Sequence, residues 1–256
     1  MANFLDDDRR LLEGKIAVIT GAGGSTGRAI ARSFVRHGAS VVVVDCNKST
    51  LEETYNLCGK GDHLSITANV TKVSEVQQMV KKVVKKYGRA PEVLVNGAAL
   101  RTLVAWDNLT TEDFETITTV AHLGTFLVST EFAKIMTKNS IISQSIINLT
   151  SIVGQSGCPD GSHFGTASGG ILGLTKSLAL ELGDRNIRVN AILAGHISPG
   201  IGQPVPVGGG SSVMDQIPLK RTGKPGEIAD VCVFLGSHLS RYITGAELKV
   251  TGGLRM

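Results

Sequence analysis

A chain of 256 residues with 31 glycines, few aromatics and an apolar mass of Val, Ile, Leu and Ala is neither disordered nor a coiled coil. It suits a glycine-punctuated α/β protein, long enough for one large domain or two small ones. The net charge of +4 is too small for a wide nucleic-acid-binding field, and the lysines of VKKVVKKYG (80–88) read as the solvated face of a helix.

In chain order, the polar, acidic opening MANFLDDDRRLLEGK is neither a signal peptide nor a good transit peptide. KIAVIT (15–20) is a short, continuously apolar strand, and RAIARSFVRHG (28–38) follows with helical spacing and Gly38 as its stop. SVVVVD (40–45) is a second strand. A helix from about Lys48, a strand near HLSITANV (63–70), the lysine-rich helix and the strand EVLVN (92–96) come next. One long helix is expected over 111–138, then the strand SIINLT (145–150), a helix over 164–183 and the strand IRVNAIL (187–193). The stretch GHISPGIGQPVPVGGGSS (195–212) is too rich in Gly and Pro for regular structure and reads as a long loop. A helix over 225–237 and the strand AELKV (246–250) end the chain. Strands this uniformly apolar are buried on both faces, so helices between them imply a parallel sheet with helical layers on each side. With no linker or repeat, the whole span 1–256 reads as one Rossmann-type, doubly wound α/β domain.

The cysteines Cys46, Cys58, Cys158 and Cys232 lack metal-ligand spacing and read as reduced thiols. No metal site and no membrane span is expected, since no apolar run is long enough to cross a bilayer. These features point to the cytoplasm or the mitochondrial matrix rather than secretion. Of three Asn-x-Ser/Thr triplets, the one at Asn148 lies in an apolar strand where a glycan has no room.

The turn TGAGGSTGRAI begins at Thr20, where the first strand ends, and leads into a helix. Backbone N–H groups and the helix dipole at such a turn suit a pyrophosphate, and glycines permit the close approach. Asp45 ends the second strand, where a carboxylate accepts ribose hydroxyls and repels a 2′-phosphate; no arginine follows it. NAD(H) is favoured over NADP(H).

These residues, together with GTFLVS, SIINLTSIVG, GILGLT, IRVNAI, YITGAELKVTGG and the ending GGLRM, make the chain resemble the short-chain dehydrogenases/reductases over essentially its whole length. Within that family the likeness is to the branch of 17-beta-hydroxysteroid dehydrogenase type 8 and the 3-oxoacyl-carrier-protein reductases. The resemblance implies cofactor contacts at Gly21, Gly24, Ser25, Thr26 and Gly27, at Asp45 and Cys46, at Asn69 and Val70, at Asn96, Gly97 and Ala98, and at Ile197. It also implies a proton relay of tyrosine, lysine, serine and asparagine. Ser151 stands at the serine position; the tyrosine position is Phe164, the lysine position Ser168 and the asparagine position Ala121. The cofactor motifs depart as well. The second glycine of the turn is Ser25 and the adenine-ring aspartate is Asn69. Asn-Asn-Ala-Gly reads Asn96-Gly97-Ala98-Ala99. The late Pro-Gly reads Ala194-Gly195, and the threonine beyond it is Pro199.

Phenylalanine has no proton to give, and serine supplies no positive charge. A positioned acid is worth about 10²–10⁴ in rate, and residues acting as one unit fail together. The expectation is therefore a member without ordinary dehydrogenase catalysis, acting as a non-catalytic, NAD-binding subunit or binding module. It would form a homo-oligomer or a hetero-oligomer with a related dehydrogenase, through the helices over 111–138 and 164–183. The rival is an active NAD(H)-dependent oxidoreductase of 3-hydroxyacyl thioesters or hydroxysteroids with a rewired donor. His196 is the better candidate for that donor, because His163 points about 100° away from its helical neighbour Phe164. A third reading is a sensor whose partner affinity responds to NAD(H).

Overall fold

The computed structural model describes residues 10–139, 143–198 and 213–255. Seven strands form one parallel sheet: β1 (Ile16–Thr20), β2 (Ser40–Asp45), β3 (Leu64–Thr67), β4 (Val93–Asn96), β5 (Gln144–Ser151), β6 (Ile187–Ala194) and β7 (Glu247–Val250), in the spatial order β3-β2-β1-β4-β5-β6-β7. The apolar runs earn this place by alternation. Ala17, Ile19, Val41, Val43, Val93 and Val95 face one side, against Ile30 and Phe34 of α1 (Ser25–Arg36) and Ile228 and Val233 of α9 (Pro225–Gly236). Their neighbours Ile16, Val18, Val42, Val44 and Leu94 face the other side, against Val76 and Met79 of α3 (Val73–Tyr87) and Phe132 of α5 (Gly124–Met136). Each large side chain so buried is worth about 1.5–3 kcal/mol, which makes the two-faced burial the main term holding the sheet. The doubly wound reading of the sequence holds.

Gly38 follows α1 with φ +88°, the left-handed value that ends the helix where the sequence places the stop. α2 (Lys48–Leu57) begins at the residue expected, capped by Asn47, whose Oδ1 accepts the N–H groups of Ser49 and Thr50. The long helix expected over 111–138 is different in kind. It is α4 (Thr111–Thr118), then a π-helical turn (Thr119–Leu123), then α5. The Thr125 hydroxyl donates to the Ala121 carbonyl at 2.6 Å, supplying a side-chain partner at the π-helical turn. At Gly124 a Cβ would stand 2.8 Å from Val70 Cγ2, so α5 lies hard against the chain leaving β3.

α7 (Ser162–Leu182) is the helix expected over 164–183, begun two residues earlier and preceded by the four-residue turn α6 (Val153–Ser156), which periodicity does not reveal. Its small residues have intramolecular uses. A Cβ on Gly170 would come within 2.9–3.1 Å of the His122 ring, and one on Gly169 would come 3.3 Å from the Gly154 carbonyl. The close approach these glycines allow is therefore to the π-helical turn and to α6. Of the Gly/Pro-rich stretch, Pro199 and the rest of 199–212 lie outside the described residues; α8 (Val213–Gln216) follows it. No helix among the described residues is long and apolar enough to cross a membrane, and no cluster of His, Cys, Asp or Glu among them could hold a metal.

Candidate functional site

Parallel strands end together, and the order reverses between β1 and β4, so a crevice opens at their C-terminal ends. The turn from β1 into α1 forms one wall. Gly21 sits at φ +69°, and any Cβ there would overlap the Gly97 backbone beyond β4. A Cβ on Gly27 would overlap the Gly21 carbonyl and stand 2.7 Å from Ala22 Cα. Glycine is required at both. Gly24 is the N-cap residue, Ser25 is exposed at the first helical position, and no side chain caps the end of α1, so its N–H groups are left toward the crevice. The Thr20 hydroxyl accepts the N–H of Gly97 at 3.1 Å and that of Ala98 at 3.4 Å, tying this wall to the end of β4.

Asp45 takes the Gly23 N–H on Oδ2 and the Asn47 N–H on Oδ1, both at 2.9 Å, which fixes its carboxylate beside the glycine turn. Arg28, hydrogen-bonded to the same turn through the Gly23 carbonyl, is committed to Glu53 at 2.7 Å and to Thr54 Oγ1 at 3.1 Å. It is a neutralised cation, not a free one. Cys46 is exposed just beyond. After β3, Asn69 Oδ1 accepts both the N–H and the hydroxyl of Thr71, its own N–H donates to Glu75, and Val70 is buried.

The other wall is a cavity of about 530 Å³. Thr26 and Gly97 border it on the cofactor-turn side; Ala121, Ser151, Phe164 and Ser168 line its interior. Thus the four positions that the resemblance assigns to a proton relay are brought to one place. Phe164 packs on the cluster of Ile117, Ala121, Ala167 and Ile171, and Ser168 is buried one turn further along α7. Ser151 has only long contacts: its Oγ lies 3.5 Å from the Ala194 carbonyl and 3.4 Å from the Val153 N–H. His196 and Ile197, beyond β6, close the cavity opposite. The His196 Nε2 is buried without a partner among the described residues, and burial, with the nearby Arg101 guanidinium, holds its pKa below the usual histidine value.

Two sequence expectations land elsewhere. The side chain of Asn96 points into the sheet, donating to Ser129 Oγ and Asn148 Oδ1 at 2.8 Å each, and Asn148 donates on to Thr175 Oγ1 at 2.9 Å. It is a strut under the crevice, so a cofactor contact would have to come from its backbone. His163 is fully buried, with Nε2 3.0 Å from Thr102 Oγ1, and is not part of the cavity wall. Arg101, Cys158 and Arg255 also line the cavity; sequence reasoning takes Cys158 only as a reduced thiol and gives none of the three a place in the site. They converge only through tertiary structure; the basic residue in the ending GGLRM carried the one available signal.

The family model described as Enoyl-(Acyl carrier protein) reductase matches residues 21–255. The chain is 37% identical to the 3-oxoacyl-[acyl-carrier-protein] reductase FabG of Thermotoga maritima, covering 95% of this chain and 98% of that one. It is 33% identical to the (3R)-3-hydroxyacyl-CoA dehydrogenase of Homo sapiens, covering 96% and 97%. This chain belongs to the short-chain dehydrogenase/reductase family. Its sheet superposes on solved members at 28% identity. These include 3-ketoacyl-(acyl-carrier-protein) reductase from Brucella melitensis complexed with NADH (TM-score 0.87, covering 96% of this chain and 100% of that one). NAD⁺-bound xylitol dehydrogenase also matches (TM-score 0.87, 94% and 99%). In this short-chain dehydrogenase/reductase chain, the glycine turn, the open end of α1 and the anchored Asp45 fit a dinucleotide: the two positions that must stay bare are bare, and the carboxylate is held in place.

Proposed function

We propose that this chain is an NAD(H)-binding member of the short-chain dehydrogenase/reductase family that does not run the family's tyrosine-dependent carbonyl–alcohol interconversion and serves as a subunit or binding module. The observation that carries the reading is Phe164: a phenyl ring packed on Ile117, Ala121, Ala167 and Ile171 lines the cavity where a proton donor is needed, with Ser168 one turn away. Gly21 to Gly27 would hold the pyrophosphate, Asp45 the adenosine ribose, and Thr26, Gly97 and Ile197 would border the nicotinamide end. Bound NAD(H) would supply a hydride donor or acceptor; the chain would supply orientation and shelter from water, and none of the described residues stands in the place of the missing acid. His196 supports the rewired alternative through its Nε2, which has no partner among the described residues. Burial and Arg101 favour its neutral form at neutral pH, which makes it a poor acid.

Assembly belongs to the same proposal. Phe114 on α4, Leu123 on the π-helical turn, Phe126 on α5 and Leu180 on α7 are exposed on the two helical segments through which relatives are expected to associate. That supports a dimer or tetramer, homomeric when the protein is purified alone. Calorimetric titration with NAD(H) and NADP(H), alongside turnover of an acetoacetyl thioester, tests the whole reading. Binding of NAD(H) without turnover is expected. Turnover near about 1 s⁻¹, the low end of ordinary enzymes, would overturn it, and its disappearance in His196→Ala would establish the rewired donor. A monomer by light scattering at micromolar concentration would remove the subunit role.

A further inference from the structure

The cavity is built to hold something besides a dinucleotide. Its volume of about 530 Å³ is that of a small-molecule site. The wall has an apolar part, made by Leu103, Leu149, Ile152, Phe164, Ile171 and Leu254, and a cationic part at its rim. Arg101 is there without a hydrogen bond or ion pair among the described residues. Arg255 is there with one nitrogen held by Ser156 Oγ at 2.9 Å and by the Gly157 carbonyl. His196 adds a buried Nε2 that has no partner among the described residues. Against these two guanidinium groups stands one carboxylate among the described lining residues, Asp160. Among these described residues the surplus is one positive charge beside an apolar chamber.

We infer that the cavity binds an amphipathic monocarboxylate, its head on Arg101 and Arg255 and its hydrocarbon body against Phe164, Ile171 and Leu254. The inference rests on the reading of this cavity as a binding site rather than a reaction centre. A planar guanidinium matches a carboxylate with two parallel hydrogen bonds, and a single unbalanced cation matches a single negative charge. A neutral His196 at the same rim donates or accepts one further hydrogen bond without adding charge. Phe164 contributes apolar surface where a tyrosine hydroxyl would have needed a polar partner.

The test is calorimetric titration of the whole protein, with and without saturating NADH, using sodium octanoate, octanamide and butanoate as probes. Octanoate is expected to bind below about 1 mM and at least about tenfold tighter than octanamide, which has the same shape without the charge, or butanoate, which lacks the body. Arg101→Gln, at an exposed position where folding is not at stake, should remove the preference for octanoate over octanamide and leave octanamide binding as it was. Arg255→Gln should weaken it in the same direction. Equal affinity for the acid and the amide overturns the inference, as does no octanoate binding at about 1 mM or a preference that survives both substitutions. Thioester turnover measured on the same preparation keeps the two proposals apart. Turnover together with charge-selective octanoate binding sinks the non-catalytic reading and leaves the ligand; no turnover and no selectivity does the reverse.

Discussion

The two walls of the cleft are made on different terms. On the wall of β1 and α1 the backbone dictates the residue: Gly21 and Gly27 have no room for a methyl group, and Asp45 is pinned by two N–H groups. On the wall of α7 and the π-helical turn, Ala121, Phe164 and Ser168 border open volume, where any side chain of suitable size finds packing. A change on the first wall moves main chain. A change on the second alters chemistry and leaves the fold standing, because the groups that a proton relay needs are not the groups that hold the sheet. The π-helical turn illustrates this. Its geometry is kept by the Thr125 hydroxyl on the Ala121 carbonyl, whatever side chain residue 121 carries.

The sharpest way to break this comparison is to rewrite the second wall. If the frame is intact and only the side chains are missing, Ala121→Asn, Phe164→Tyr and Ser168→Lys together should raise acetoacetyl-thioester turnover by about 10²–10⁴, the range a positioned acid supplies. Phe164→Tyr alone should give far less, because the group works as a unit. Background turnover in a triple variant that still binds NADH would mean that the wall has changed in backbone as well as in side chain.

Stability separates the walls next. Gly27→Ala forces a Cβ into the Gly21 carbonyl and should cost about 1–3 kcal/mol in denaturant unfolding, with NADH affinity falling alongside. Gly24→Ala, three residues earlier, places its Cβ 3.5 Å from the same carbonyl, an ordinary contact, and should cost less than about 1 kcal/mol. Phe164→Tyr, beside open volume, should stay within about 1 kcal/mol of the parent. Equal losses for Gly27→Ala and Phe164→Tyr would abolish the distinction.

The same division decides what was legible in the sequence. Continuous apolar strands, Gly38 as a helix stop and the helix from about Lys48 are local signals, and the structure honours them. The glycine turn and Asp45 are legible for the same reason: one strand end and its neighbour define them. The π-helical turn is not legible, because nothing in the pattern of TVAHL departs from an ordinary helix, and the Thr125 hydroxyl on the Ala121 carbonyl shows only in three dimensions. Asn96 looks like a cofactor ligand until Asn148 and Ser129 are seen to claim its amide. Arg101 and Arg255 lie far apart in the chain and come to one cavity only because the segments that follow β4 and β7 leave the parallel sheet at the same edge.

A smaller effect is expected at Asp45. Asp45→Ala removes a fixed negative charge beside the turn and should narrow the preference for NAD(H) over NADP(H) by about tenfold, the worth of one partly screened charge interaction. Because Arg28 stays committed to Glu53, the variant should lose discrimination rather than gain a phosphate site. Tighter NADP(H) binding by the unmodified protein would show that the carboxylate serves the turn alone.

The smallest effect tests whether the second wall is held as firmly as the first. Gly223 bridges Ile197 at the cavity rim, with the Gly223 N–H donating to the His196 carbonyl and the Ser198 N–H to the Gly223 carbonyl. Just beyond it, Glu227 fastens the start of α9: both its oxygens accept from Arg221, at 2.5 and 2.8 Å, and one accepts the Lys224 N–H at 2.7 Å. The Arg221 hydrogen bonds first, and the Lys224 N–H after them, hold the Glu227 carboxyl at about 2, below the ordinary glutamate value. A depressed folded pKa means stabilisation that is complete above the unfolded value of about 4.3 and is lost as pH falls through about 2. Both side chains are substantially exposed, so the pair is worth about 0.5 kcal/mol rather than what the shift alone implies. Lowering the pH from 5 to 2 should therefore raise hydrogen exchange at Ser198 and Gly223 before it does so at Ala22, whose N–H on the first wall is bound by the Val44 carbonyl, a group that does not titrate. Glu227→Gln should remove the acid-dependent part of that difference. Simultaneous loosening at Ala22 and Gly223 would mean that the two walls open as one unit, and that the contrast between them lies in chemistry alone and not in how the backbone is secured.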